Sequence, residues 1–211
     1  MTSRRTFVAA LTSVAGLGLA AQPPTPTRRV SGAWDMSWLD RFAGAHKQLF
    51  DAATFDLSVD TPLRVPMNYL DGLRDVYGVE PPAVNVAIGV SRLAFPLNAS
   101  DGLWRKYELG QRWGITDPST SKPAVRNVFL GDASGGDPAT VRALQARGAL
   151  FWQCNFALGA VAFTLARAFN APLDATRADL IAGLNPGVVL VATHAMAVGV
   201  VQQRGFTYMK L

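Results

Sequence analysis

Apolar positions along the chain fall into short runs of two kinds that alternate. His46 to Asp51 reads as a first strand ending in an acid. Pro62 to Tyr77 follows with Leu63, Met67, Leu70, Leu73 and Tyr77 in helical register, and Gly78 is placed to stop it. Val84 to Val90, rich in Val and Ile, reads as a strand that hands over to Ser91-Arg92. Asp137-Pro138 marks a helix start, a cap followed by Pro in the first turn, and the helix runs to about Arg147. The chain then enters Gly148-Ala-Leu-Phe-Trp-Gln-Cys154-Asn155, an apolar run bounded by glycine, which is the pattern of a buried parallel strand. Asn155 is a candidate cap for Phe156 to Phe169, a stretch apolar nearly all round and therefore a buried helix. Asp179 to Leu184 belongs to a further helix that Asn185-Pro186-Gly187 ends, and Val188 to Ala192 reads as another central strand. Thr193 can cap a helix from His194 to about Arg204, Gly205 closes it, and Phe206 to Lys210 makes a final strand. Such alternation of strand and helix predicts an α/β layered sheet with right-handed crossovers.

Two stretches depart from the alternation. Residues 95–136 read as a long polar insertion holding Trp104, Tyr107 and Trp113, helical over 101–113 and loop beyond. Long ordered loops of this kind tend to be lids or binding loops. Residues 22–45 form a Pro-rich leader followed by a short helix with Trp34, Trp38, Leu39 and Phe42 on one face. That stripe fits docking on the domain's own surface or on a neighbouring subunit; Asp35 and Asp40 argue against a membrane-lying helix. The main domain is then expected to span 46–211.

With 211 residues, 49% hydrophobic and 17% charged, the chain suits one well-buried domain and is not disordered. Residues 1–21 stand outside that fold. Ser3-Arg4-Arg5-Thr6-Phe7 opens a weakly apolar run ending in small residues, the pattern of a twin-arginine export signal. An ordinary secretory signal or a retained anchor is the alternative. A periplasmic location and a prokaryotic source follow from the first reading. Setting that segment aside leaves 18 basic residues against 15 acidic, a balance of +3, too mild to argue for nucleic acid. The runs 156–169 and 186–201 are too short to span a bilayer, so no transmembrane segment is expected after the signal. A single cysteine excludes an internal disulfide.

Ligands of open α/β sheets collect beyond the carboxyl ends of the strands. Those ends supply Asp51, Arg92, Cys154 with Asn155, and Thr193 with His194. A cysteine at a strand-to-helix junction meets backbone N–H groups and a helix dipole that favour the thiolate, the reactive form. The competing reading is a small buried hydrophobe. His194 can act as a general base or steady the thiolate, and equally can be a core or capping histidine. Arg92 can hold an anion or pair on the surface; Asp51 can bind a ligand or cap a turn.

Other signals fail. Gly131-Asp-Ala-Ser-Gly-Gly136 has the wrong spacing for a serine nucleophile loop, and no Gly-rich phosphate loop follows a strand. Two histidines and one cysteine give no structural zinc pattern, so no metal and no cofactor are assigned. Asn98-Ala99-Ser100 fits a glycosylation sequon but carries little weight in a bacterial export context.

Gln145-Ala-Arg-Gly148, the strand closing on Cys154, Asn185-Pro-Gly-Val-Val189 and Gln202-Gln-Arg-Gly-Phe-Thr-Tyr208 together resemble the DsrE/DsrF-like family. The resemblance covers about residues 138–211 clearly and 46–90 loosely. It implies a flavodoxin-like, mainly parallel sheet with helices on both faces, commonly assembled into oligomers. In the family's sulfur-relay members the cysteine matching Cys154 carries sulfur as a persulfide. Here Asn155 stands where members often have glycine, and no second cysteine can accept the sulfur. The reading that results is an exported DsrE-like homo-oligomer handling a sulfur species or small anion, with Cys154 as carrier. Its rival is a non-catalytic ligand-binding or accessory protein with an inert Cys154 and the insertion as recognition surface. A metal- or cofactor-loaded enzyme is a third possibility, since folded export suits one.

Overall fold

A computed structural model describes residues 34–131 and 139–211. The proposed export signal, the Pro-rich leader and most of the Gly131–Gly136 stretch lie outside those residues. Five strands form one sheet: β1 (His46–Asp51), β2 (Val84–Val90), β5 (Leu150–Cys154), β6 (Val189–Val191) and β7 (Thr207–Lys210). β3 (Thr116–Asp117) and β4 (Lys122–Pro123) make a separate small antiparallel pair. The order is β6-β5-β2-β1-β7 and every pairing is parallel, with helices around the sheet, an α/β flavodoxin-like layering as the alternation predicts. From β1 the chain steps outward through β2, β5 and β6, then returns to place β7 on β1's other side. The winding direction therefore changes at β1.

Around the sheet stand α1 (Arg64–Tyr77), α2 (Phe95–Asn98), α3 (Asp101–Lys106), α4 (Leu109–Arg112), α5 (Val141–Ala146), α6 (Asn155–Ala168), α7 (Leu173–Ala182) and α8 (His194–Gln203). The two faces of the sheet are unequal. Phe50, Val86, Ile88, Val90 and Phe151 point into a large core filled by α1 and by α2 to α7. Leu49, Ala87, Leu150 and Trp152 face a smaller one, closed by α8 (Ala197, Val201), Phe206 and a 3-10 helix at Ser37–Arg41. Trp38, Leu39 and Phe42 are buried there, so the stripe ahead of β1 docks on the domain itself; Trp34 stays exposed.

Residues 95–131 are not the polar appendage expected from their composition. Phe95, Leu97, Leu103, Trp104, Tyr107, Leu109 and Ile115 belong to the large core. The polar residues between them serve that packing. Asn127 donates through Nδ2 to the carbonyls of Pro96 (3.2 Å), Leu97 (3.1 Å) and Ala99 (2.8 Å), which closes the last turn of α2. Asn98, the candidate sequon residue, is fully buried and donates to the Trp152 carbonyl (3.1 Å) and to Gln153 Oε1 (3.1 Å). It is out of reach of any glycosylating enzyme in the folded chain.

Helix boundaries moved where a cap was misread. α5 begins at Val141 because Thr140 Oγ1 accepts from Ala143 N–H (3.2 Å), while Asp137-Pro138 lies outside the described residues. The helix to which Asp179 belongs, α7, starts at Leu173, just after Pro172, and ends at Ala182, short of Leu184. At the strand-to-helix junction Cys154, not Asn155, is the capping residue: its sulfur accepts from Ala157 N–H (3.4 Å), and Asn155 is already the first helical residue.

If the stretch after β2 is core and not a lid, Trp104→Ala should cost about 3–5 kcal/mol of stability, the usual figure for a buried aromatic. Urea unfolding followed by circular dichroism checks this; a change within about 0.5 kcal/mol would place the segment outside the cooperative core.

Candidate functional site

Register places the chemistry. Asp51 pairs with Gly89, Gly89 with Trp152 and Trp152 with Val189, so these four form one row across four strands. In a parallel pair, partners in register point to the same face, here the smaller one. A hole opens in the middle of the row because Gly89 has no side chain. The His194 imidazole lies in it: a Cβ on Gly89 would come within 2.7 Å of His194 Cε1 and of Trp152 Cζ2. A glycine inside a strand often marks such a close approach.

Both ring nitrogens of His194 are engaged. Trp152 Nε1 donates to His194 Nδ1 at 3.2 Å. An indole N–H can only donate, so Nδ1 presents its lone pair and the ring proton sits on Nε2. Nε2 stands 2.9 Å from Asp51 Oδ1. The oxygen lies off the N–H axis, so the contact is an electrostatic one rather than a well-aligned hydrogen bond. Asp51 also accepts from Ala53 N–H through Oδ1 (2.8 Å) and from the Tyr208 hydroxyl through Oδ2 (2.7 Å). Burial pushes the Asp51 carboxyl up, but the His194 side chain, the Ala53 amide and the Tyr208 hydroxyl outweigh it and hold the pKa at about 2. The same bond raises the Tyr208 phenol above its ordinary value.

Cys154 ends β5 on this face, two residues beyond Trp152. Its side chain is buried, with 4% of its surface exposed. The sulfur accepts from two backbone N–H groups: Ala157 in the first turn of α6 (3.4 Å) and His194, the first residue of α8 (3.2 Å). The two helix starts are tied the other way as well, since Phe156 N–H donates to the Ala192 carbonyl (3.3 Å). Two free helix N-termini thus converge on one sulfur, each bringing a partial positive charge.

Of the residues singled out in the sequence, Asp51, Cys154 and His194 come together. Thr193 stands beside them as the cap of α8, its Oγ1 accepting from Met196 N–H (3.2 Å). Asn155 and Arg92 do not join the cluster. Asn155 accepts from Arg177 of α7, and Arg92 is exposed on the turn after β2. Gly89, Trp152 and Tyr208 were not picked out as site residues. Trp152 was within reach, since a strand's period of two puts it on the face of Cys154. Among the described residues no group of three or more His, Cys, Asp or Glu is placed to hold a metal. No helix among them is long and apolar enough to cross a membrane.

Two larger cavities lie elsewhere, beside the loop after β1. One of about 510 Å³ is lined by Leu57, Asp60, Thr61, Thr116, Phe129 and Thr140. The other, about 540 Å³, is lined by Asp56, Leu93, Arg112, Trp113 and Leu165 among others. Neither is bounded by Cys154, His194 or Asp51. Of the aromatic residues in the 95–131 stretch, Trp113 lines the second of these cavities and Tyr107 a smaller one of about 150 Å³, while Trp104 is fully buried.

No family model and no curated protein matches the chain. A solved structure, a protein of unknown function (MTH1491) from Methanobacterium thermoautotrophicum, aligns over 79% of this chain and 99% of its own. Identity is 14% and the TM-score 0.40, a likeness too slight to support an argument.

The Asp51 carboxyl titrates below its ordinary value of 3.8, so its contribution to stability is present above pH ~4 and fades as pH falls through about 2. The stability gap between wild type and Asp51→Asn should therefore be on the order of 1–2 kcal/mol at pH 5 and close most of the way by pH 2. Urea unfolding at both values measures it; a gap independent of pH would refute the pairing.

Proposed function

We propose that the protein is an exported, DsrE-like homo-oligomer in which Cys154 carries sulfane sulfur or handles a small sulfur anion. The observation that carries this reading is the pair of backbone N–H groups, from the starts of α6 and α8, that donate to one sulfur at a strand end. Such donors stabilise negative charge on sulfur without supplying a competing base. The step we infer is balanced. The Cys154 thiolate attacks the terminal sulfur of a polysulfide, the adjacent S–S bond breaks, and the shortened polysulfide leaves with the electron pair. Cys154 then holds the sulfur as a persulfide, with no external oxidant consumed. With one cysteine in the sequence, discharge must be to a thiolate on another molecule, which attacks the outer sulfur and releases Cys154.

Export rests on Arg4-Arg5 and the apolar run behind them, which favour the twin-arginine route to the periplasm. Assembly into oligomers is supported by α6, whose outer face carries exposed Phe156 and Phe163 on an otherwise apolar helix. The second reading is a ligand-binding or accessory protein with an unreactive Cys154. Burial of the thiol favours it, as do the two cavities away from the sulfur.

Intact-mass measurement separates the two. After incubation with inorganic polysulfide, the native protein should gain one sulfur that reductant removes, and Cys154→Ser should gain none. Iodoacetamide should label native Cys154 within minutes at pH 7. A thiol that reacts only after denaturation would leave the accessory reading standing.

A further inference from the structure

The His194 ring is turned away from the chemistry its position suggests. Its Nδ1 takes the Trp152 indole proton (3.2 Å) and its Nε2 faces Asp51 (2.9 Å), so neither nitrogen is left to exchange a proton with Cys154. What His194 offers the sulfur is its main-chain N–H, at 3.2 Å. That N–H is the first of α8, and its direction depends on how the helix begins. Thr193 caps the helix, but its side chain reaches Met196 N–H, one turn in, and not the first amide. The position of residue 194 is fixed by its own side chain, lodged over Gly89 with no room for a Cβ beneath it.

We propose that Asp51 and Trp152 are positioning residues that make His194 a main-chain donor to the Cys154 sulfur, by clamping its imidazole in the Gly89 hole. The proposal rests on the reading of Cys154 as the reacting group. It goes beyond that reading by giving the ring a positioning part and no acid–base one. Asp51 is suited to the role because the three groups that hold it come from three places: the Ala53 amide in the loop after β1, the Tyr208 hydroxyl on the edge strand β7 and the His194 ring of α8. It thereby ties the helix start to the point where the winding of the sheet reverses. Tyr208 holds the other carboxylate oxygen and keeps the group from rotating.

A side-chain exchange discriminates the two roles. Gln can accept from Trp152 through its amide oxygen and donate to Asp51 through its amide nitrogen, yet has no acid–base chemistry. His194→Gln should therefore label with iodoacetamide within about threefold of wild type. His194→Ala and Asp51→Ala should each be about five- to tenfold slower, the scale of one lost hydrogen bond. The double variant should be no slower than either single one, because both remove the same clamp. Labelling of His194→Gln as slow as His194→Ala, or additive losses in the double variant, would overturn the proposal. Hydrogen exchange at the residue-194 amide keeps the test independent of whether Cys154 reacts at all. Protection in wild type and His194→Gln, lost in Asp51→Ala, is expected; protection unchanged in Asp51→Ala would refute the clamp. A wild-type thiol that fails to label while the amide behaves as expected would remove the sulfur-carrier reading and leave the positioning intact.

Discussion

A missing side chain in the middle of β2 is the constraint on which the site depends. Row partners Asp51 and Trp152 flank Gly89 on the smaller face, and the space between them accommodates one planar ring. His194 fills it and is held from both sides, by an indole donor and a carboxylate. The start of α8 is therefore located by a side-chain contact with the sheet as well as by its cap. With the start of α8 in place, its first N–H and a first-turn N–H of α6 meet at Cys154.

The two faces divide the labour. The larger one supplies the bulk of the hydrophobic burial and absorbs residues 95–131, whose polar side chains add hydrogen bonds to the buried carbonyls of the turns. Asn185 works the same way, donating to the Leu97 carbonyl (3.0 Å) from the far end of the chain. On the smaller face, α8 and the 3-10 helix cover less of the sheet, and a charged carboxylate can sit at its margin. Asp51 is mostly buried, so its charge is retained because two hydrogen-bond donors and the facing His194 ring replace the water it gave up. A single strong acid among apolar neighbours is tolerable at the end of a strand, where backbone N–H groups such as that of Ala53 are free to reach it.

Much of this could be read directly. Strand β2 ends where its Val and Ile pattern stops, β1 ends at the acid after Leu49-Phe50, and Gly78, with φ of 65°, closes α1 as a left-handed residue must. The strand-end rule gathered Asp51, Cys154 and His194 because a parallel sheet delivers its carboxyl ends to one edge whatever the loops do. That rule gives the edge but not the direction of a side chain, so Arg92 and Asn155 arrived at the same edge and turned elsewhere. The 95–131 segment was misjudged because its apolar residues follow no single period. Most sit on or beside three short helices of four to six residues, each too brief to show one, and Ile115, Phe129 and Leu130 lie beyond them.

Local chemistry in the sequence settled which of the main segments outside 95–131 are strand or helix, where they stop to within a few residues, and that one cysteine stands at a strand-to-helix junction. It did so because backbone preferences and burial periods act over a few neighbouring residues. Partnership across strands was decided only by the tertiary structure. Asp51, Gly89, Trp152 and His194 are far apart along the chain, and nothing local makes a glycine in β2 a seat for a ring from α8. Register and crossover bring them together, and that long-range geometry converts four ordinary residues into a clamp beside a sulfur.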